Sequence, residues 1–264
     1  MSVINPFEID NHTGRIITLI PARYQSSRLP GKPLIQISGK TVIQRTYSRV
    51  QEAKTLSPHF IYVVTDSDKI ENHVKEWGGN VIRVDEKCLN GTERITRAIP
   101  LLDLQPPLSS DDVILNVQGD EPAIDPRNID FVVSQHQSQR SDVTTLHSAT
   151  SNQSIIFSNH SCKIVTDIHG KVLYGSRMSI PYLPIDKTLT RDIWKEHIGI
   201  FVFRLEWLQF LLTQKPTPLQ KCEDIEWLQT LELGGNMMSF QAPYPTQRGV
   251  NTPEDVDYLS KCLQ

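Results

Sequence analysis

Strand-like and helix-like patterns take turns through the first half of the chain, and no other feature restricts its fold so strongly. The apolar runs "RIITLI" (15–20), "FIYVVT" (60–65), "NVIRV" (80–84) and "DVILNV" (112–117) read as strands, short and rich in β-branched residues. Between them, "TVIQRTYSRVQEA" carries Val42, Ile43, Tyr47 and Val50 at helical spacing. "DKIENHVKEWG" reads as a helix closed by Gly78 and Gly79, "TERITRAIPLL" as a third, and "PRNIDFVVSQH" opens with proline in its first turn. Parallel strands need long crossovers, which helices supply, so this βαβα succession predicts an α/β fold with a mostly parallel central sheet covered on both faces.

The second half changes character. "DVTTLHS", "HIGIFVFRL" and "NMMSFQAP" read as strands, and "CKIVTDIHGKVLYGS" as a pair joined by the turn "DIHG". A proline-bearing loop, "RMSIPYLPIDKTLTRD", separates them. "EWLQFLLTQ" and "CEDIEWLQTLELGG" each predict one helix, and Thr252 before Pro253 predicts the N-cap of a last one. The chain thus divides into an N-terminal extension (1–14), an α/β core (15–140) and a second portion (141–264) that completes the sheet.

Composition removes several classes of function. The 264 residues carry 27 Lys and Arg against 30 Asp and Glu, a net charge of -3, so no general basic field awaits nucleic acid. No apolar run approaches the ~18 residues of a membrane span, and the first residues lack the basic end and apolar block of a secretory signal. Cys88, Cys162, Cys222 and Cys262 lie far apart without a C-x-x-C pair, which points to a reducing cytoplasm.

In an open α/β sheet ligands sit beyond the carboxyl ends of the strands, where strand order reverses. Three polar segments fall at such ends: "ARYQSSRLPGKP", "TDSD" and "QGDEP". The first matches neither a Walker loop nor a dinucleotide G-x-G-x-x-G. Its Arg23, Arg28 and Lys32 can neutralise a polyphosphate, with Ser26, Ser27 and Gly31 as close donors. In "QGDEP", Asp120 offers the hard oxygen that Mg²⁺ takes beside substrate phosphates, with Glu121 its neighbour.

"IPARYQSSRLPGKPL", "VVTDSD", "GTER" and "NVQGDEP", followed in order by "YGSRMSIPY", "HIGIFVFR" and "GVNTPED", resemble the motifs of the CMP-Kdo synthetases, the 3-deoxy-manno-octulosonate (Kdo) cytidylyltransferases, over residues 15 to 259. The resemblance implies a nucleotide-diphospho-sugar transferase sheet with nucleotide binding in residues 15–140 and sugar binding and dimerisation in residues 141–264, a homodimer, and a Mg²⁺-dependent coupling of CTP to a free 2-ulosonic acid with release of pyrophosphate. It implies that Arg23, Ser27 and Lys32 hold the triphosphate, that Gln118 reaches toward nucleotide and sugar, and that Asp120 binds Mg²⁺. Asn90 stands in the "NGTER" segment on the cytosine side, while Arg177, His197 and Glu223 match positions around the sugar.

The departures from the pattern cluster on the sugar and metal side. Asn251 replaces the aspartate of V-D-T-P-E-D, an expected second metal ligand, and Phe201 replaces a tyrosine. Trp227 and Gln229 replace glutamine and arginine, while the nucleotide side is nearly intact, with Asn90 standing there for a serine. The resemblance therefore supports cytidylyl transfer more strongly than Kdo itself, with a close relative such as 8-amino-Kdo as the other acceptor. Two other functions compete: a sugar-1-phosphate nucleotidyltransferase, and a catalytically silent CTP-binding protein.

Overall fold

The computed structural model describes residues 14–25, 29–182 and 193–263. The extension expected over residues 1–14 falls, except for Gly14, outside them, as do Ser26, Ser27 and Arg28 of the opening loop.

β1 (Ile16–Ala22) leads through a short turn at Lys32–Leu34 into a small hairpin, β2 (Gln36–Ile37) and β3 (Lys40–Thr41), and then α1 (Val42–Gln51). β4 (Ile61–Thr65), α2 (Asp68–Glu76), β5 (Val81–Arg83), α3 (Gly91–Ala98), β6 (Val113–Val117) and α4 (Pro126–Gln139) complete the alternation. The second half runs β7 (Val143–Ala149), α5 (Gln153–Ile156), β8 (Lys163–Thr166), β9 (Val172–Ser176) and β10 (Lys195–Arg204). It closes with α6 (Leu205–Thr213), α7 (Pro218–Glu223), α8 (Leu228–Glu232), β11 (Met237–Gln241) and α9 (Pro253–Cys262).

Local chemistry explains most of these boundaries. Thr41 caps α1 by accepting from Gln44 N, and Asp125 caps α4 ahead of Pro126 by accepting from Arg127 N. Thr252 stands at the N-cap of α9, as the sequence predicts, and forms a capping box with Asp255.

The main sheet runs in the order β11-β7-β10-β6-β1-β4-β5, with the β8–β9 hairpin attached beside β10. β1 pairs in parallel with β4 and β6, β4 with β5, and β11 with β7. β10 runs antiparallel between β6 and β7. The sheet is thus mostly parallel, and strands from beyond residue 141 extend it.

Strand alternation divides the core between two faces. Ile17 and Leu19 of β1 pack with Ile95 and Ala98 of α3 and with Leu205, Leu208 and Leu211 of α6. Ile20 and Ala22 face the other way, toward α1, α2 and α4 through residues such as Ile43, Val74 and Ile129. Full burial of each such aliphatic side chain stabilises the fold by about 1.5–3 kcal/mol.

One expected element is divided. "CEDIEWLQTLELGG" does not form a single helix: α7 ends at Glu223, Asp224 takes a left-handed φ of 52°, and α8 starts at Leu228. The break has a tertiary cause. Arg177 donates from Nε to the carbonyl of Glu223 (3.0 Å) and from Nη2 to that of Asp224 (2.8 Å), taking carbonyls that a continuing helix would use.

Candidate active site

Strand order reverses at β1. The chain passes outward to β4 and β5, then returns to lay β6 on the other side of β1. Loops leaving the carboxyl ends of β1 and β6 therefore diverge and leave a crevice between them. Above it opens a cavity of about 1040 Å³, lined among others by Arg23, Lys32, Asn90, Gln118, Asp120 and Asn251. That volume lies at the upper end of the range for ligand sites and leaves room for two substrates.

Lys32 and Asp120 meet across the crevice. The Lys32 ammonium donates to Asp120 Oδ2 at 2.5 Å and to the Val250 carbonyl at 2.8 Å. Val250 N–H donates in turn to the Asp120 carbonyl at 2.8 Å, so the loop that carries Asn251 is tied to the loop that carries Asp120. Arg23 is exposed at the end of β1 and lines the same cavity. Two cations and two oxygen-bearing side chains thus share one wall.

A second wall is built at the start of α3. Asn90 is the N-cap, its side chain accepting from Glu93 N at 2.8 Å. Glu226 reaches the same helix end: one oxygen accepts from Thr92 N at 3.1 Å, the other from Gln118 Nε2 at 2.9 Å. Burial holds the Glu226 carboxyl above the usual carboxylate range, against these hydrogen bonds. Arg94, buried, pairs through Nη2 with Asp66 at 2.7 Å, while its Nη1 has no partner among the described residues. A buried guanidinium nitrogen without a partner is costly, and this one belongs to a side chain that lines the cavity.

A third wall comes from β10. Opposite β7 the register slips between Ile198 and Phe201, so Gly199 and Ile200 bulge toward the "QGDE" loop. Gln118 N–H donates to the Gly199 carbonyl at 3.0 Å, and a Cβ at Gly199 would lie 2.8 Å from Glu121 Oε1. A side chain there would have to displace the Glu121 carboxylate. Burial, with Asp120 and Glu196 close by, pushes the Glu121 carboxyl up to about 8. His197 precedes the bulge, its ring 5.0 Å from that of Phe201 and 5.6 Å from that of Trp227.

Of the residues selected from sequence, Arg23, Lys32, Asn90, Gln118, Asp120, Arg177, His197 and Asn251 line this one cavity. Ser27 and Arg28 lie outside the described residues. Glu223 is not part of the lining. Its carboxylate accepts from Tyr174 Oη (3.1 Å), Ser176 Oγ (2.8 Å) and Arg177 N (3.0 Å), which anchors α7 to β9. Arg177 spends two guanidinium nitrogens on carbonyls of the α7 end, so a sugar carboxylate would have to compete for them.

Sequence reasoning missed Arg94, Glu196 and Glu226 as lining residues. Arg94 was hidden inside "GTER", where the block as a whole carried the signal. Glu226 becomes adjacent to Gln118 only through contacts between distant parts of the chain.

A family model described as Cytidylyltransferase matches residues 17–239. The mitochondrial 3-deoxy-manno-octulosonate cytidylyltransferase of Arabidopsis thaliana is 37% identical over 250 residues, covering 95% of this chain and 83% of its own. The 3-deoxy-manno-octulosonate cytidylyltransferase of Pseudoalteromonas translucida is 34% identical, covering 94% and 97%. Among solved structures, a CMP:2-keto-3-deoxy-manno-octonic acid synthetase complexed with CTP superposes with a TM-score of 0.83 at 30% identity, covering 95% and 98% of the two chains. A cytidylyltransferase from Leptospira borgpetersenii, 20% identical with a TM-score of 0.58, shares the fold. With its switch-point cavity and these relatives, the chain belongs to the cytidylyltransferases, in the 3-deoxy-manno-octulosonate cytidylyltransferase (CMP-Kdo synthetase) family of nucleotidyltransferases.

Proposed function

We propose that this enzyme couples CTP to a free 2-ulosonic acid, Kdo or a close relative such as 8-amino-Kdo, to give the CMP-sugar and pyrophosphate for lipopolysaccharide or capsule synthesis. The observation that carries this reading is the meeting of Lys32 and Asp120 in a cavity that Arg23 also lines. Fixed positive charge there suits a triphosphate, and the acidic and amide oxygens suit a divalent cation bound between protein and phosphates. A relative of 30% identity, solved in complex with CTP, supports CTP as the nucleotide.

The donor chemistry fits Mg²⁺. Among the described residues no group of three or more His, Cys, Asp or Glu side chains makes a preformed metal cage. Mg²⁺ does not need one, since it binds through one or two carboxylates together with substrate phosphates and water. Asp120 and the Asn251 amide oxygen would hold it, and when bound it would offset charge on the triphosphate. The chain itself supplies positioning: Lys32 and Arg23 grip phosphate, and His197, Gln118 and Arg177 border the acceptor. Bringing the anomeric hydroxyl in line with the departing pyrophosphate accounts for most of the acceleration in such a step.

We further propose a cytoplasmic homodimer with no nucleic-acid or membrane partner. All four cysteines are free, and among the described residues no helix is long and apolar enough to cross a membrane. Asn251 favours one rival, a homologue that binds CTP without turnover. The deciding experiment follows pyrophosphate release from CTP with Kdo, 8-amino-Kdo and sialic acid offered separately. Release with a ulosonic acid upholds the proposal; CTP binding with no release on any of them would favour the rival.

A further inference from the structure

Thr145 lies on β7, fully buried, opposite the bulge of β10. Its hydroxyl oxygen is 2.6 Å from the carbonyl of Ile200, 3.5 Å from that of Ile198 and 3.0 Å from Nε2 of His197. A carbonyl oxygen can only accept, so a contact of 2.6 Å commits the single hydroxyl proton to Ile200. The Thr145 oxygen must then accept from His197, which places the imidazole proton on Nε2. Nδ1 is left with a lone pair. Among the described residues no hydrogen bond reaches Nδ1, yet it is not one of the buried polar atoms left without a partner, and the ring lines the large cavity, so this lone pair opens toward the substrate space.

We propose that Thr145 is a positioning residue that holds His197 in the Nε2–H tautomer, so that Nδ1 selects an acceptor sugar presenting a hydroxyl to it. The inference rests on the ulosonic acid reading given above. Three features of the site fit it. The ring is held between Phe201 and Trp227, which limits its freedom to turn. Burial, with His147 close by, pushes the imidazole down to about 3, so it stays neutral and keeps its lone pair. Gly199–Ile200, which has no register partner on β7, supplies the carbonyl that captures the threonine proton, so the irregularity that shapes the cavity also sets the tautomer.

Nitrogen-15 NMR of histidine-labelled enzyme, with His197 assigned by comparison with His197→Gln, reads the tautomer directly and needs no substrate. A protonated Nε2 with an unprotonated Nδ1 is expected in the parent and in Thr145→Ser. In Thr145→Val, which keeps the shape and loses the hydroxyl, the two ring tautomers should mix. Kinetics then use whichever of Kdo, 8-amino-Kdo and sialic acid the parent turns over. Thr145→Val should raise the KM for that acceptor about tenfold, the loss of one hydrogen bond, with the KM for CTP near the parent value and Thr145→Ser restoring the acceptor KM. A protonated Nδ1 in the parent overturns the proposal, and that measurement stands even if Thr145→Val does not fold. Equal increases in both KM values, or no change in either, also overturn it. If the parent turns over none of the three sugars, the ulosonic acid reading falls while the NMR still decides the tautomer.

Discussion

The ammonium of Lys32 stands 2.5 Å from Asp120 Oδ2 and 2.8 Å from the carbonyl of Val250, bridging the loops that follow β1 and β6 and the loop before α9. Both side chains remain partly exposed, at 16% and 27%. Ion pairs in such surroundings contribute about 0–1 kcal/mol to stability. The pair therefore matters less as a brace than as two opposite charges held at the point where phosphate arrives. Lys32→Ala should lower turnover about 100-fold or more, by analogy with removing one preorganised charge-stabilising donor, while changing Tm by only a few degrees. Lys32→Arg should recover part of the loss, because its fork does not match a point-charge position. Pyrophosphate release and thermal melting check both; parental turnover in Lys32→Ala would remove Lys32 from the phosphate site.

The metal requirement should show the substitution at Asn251. An amide oxygen ligates a hard cation more weakly than a carboxylate, so the enzyme should need more Mg²⁺ than its variant Asn251→Asp. Asp120→Asn should abolish activity at any practical Mg²⁺ concentration. A Mg²⁺ titration of the three proteins at fixed CTP is the measurement. An unchanged midpoint in Asn251→Asp would place that side chain beyond the ion's reach.

These two residues also show what could be read in advance. β1 and β6 are continuous apolar runs, and the polar segments behind them are local in sequence, so both the parallel sheet and the Lys32–Asp120 neighbourhood were legible. The division of the helix at Asp224 was not. Its local pattern is helical, and what ends it is Arg177, 47 residues away. Nor were the partners of Glu223, which the resemblance places around the sugar: its carboxylate accepts from Tyr174, Ser176 and the Arg177 amide, contacts that no local pattern announces. Periodicity reports which face of an element is buried, not which distant side chain takes its free carbonyls or its carboxylate.

Gly175 and Trp227 should behave as a size-coupled pair. A Cβ at Gly175 would lie 2.1 Å from the Trp227 ring, which is 4% exposed and stacks beside His197. Gly175→Ala should destabilise the fold by about 1–3 kcal/mol, the usual effect of overpacking. Trp227→Ala should cost about 3–5 kcal/mol through the cavity it leaves. In the double variant the added methyl no longer clashes, so the combined loss should fall short of the sum. Denaturant melts of the four proteins give the coupling; strict additivity would show that the ring moves aside freely. Because Trp227 lines the cavity, its loss should also shift the KM for the acceptor more than that for CTP.

The two facing histidines should make the protein sensitive to acid. His147 and His197 are register partners on β7 and β10. Burial, with Lys195 close by, pushes His147 down to about 4, and burial beside His147 pushes His197 down to about 3, against an ordinary value of 6.5. Each folded value lies below the unfolded one. The unfolded chain therefore binds protons that the folded chain refuses, and stability is lost as pH falls from about 6.5 through about 4 and then about 3. For His147, which is 5% exposed, the full effect is on the order of 3 kcal/mol, reached only below the folded value. His147→Gln should flatten the decline of Tm with pH across that window, even if its Tm near neutrality is lower through loss of the bond between Nδ1 and Ser239 Oγ at 2.8 Å. A slope equal to the parent's would mean that His147 charges freely in the folded state. On the activity side, the neutral His197 should produce no inflection in kcat/KM near its ordinary value of 6.5, and an inflection that disappears in His197→Gln would contradict its burial as a neutral group.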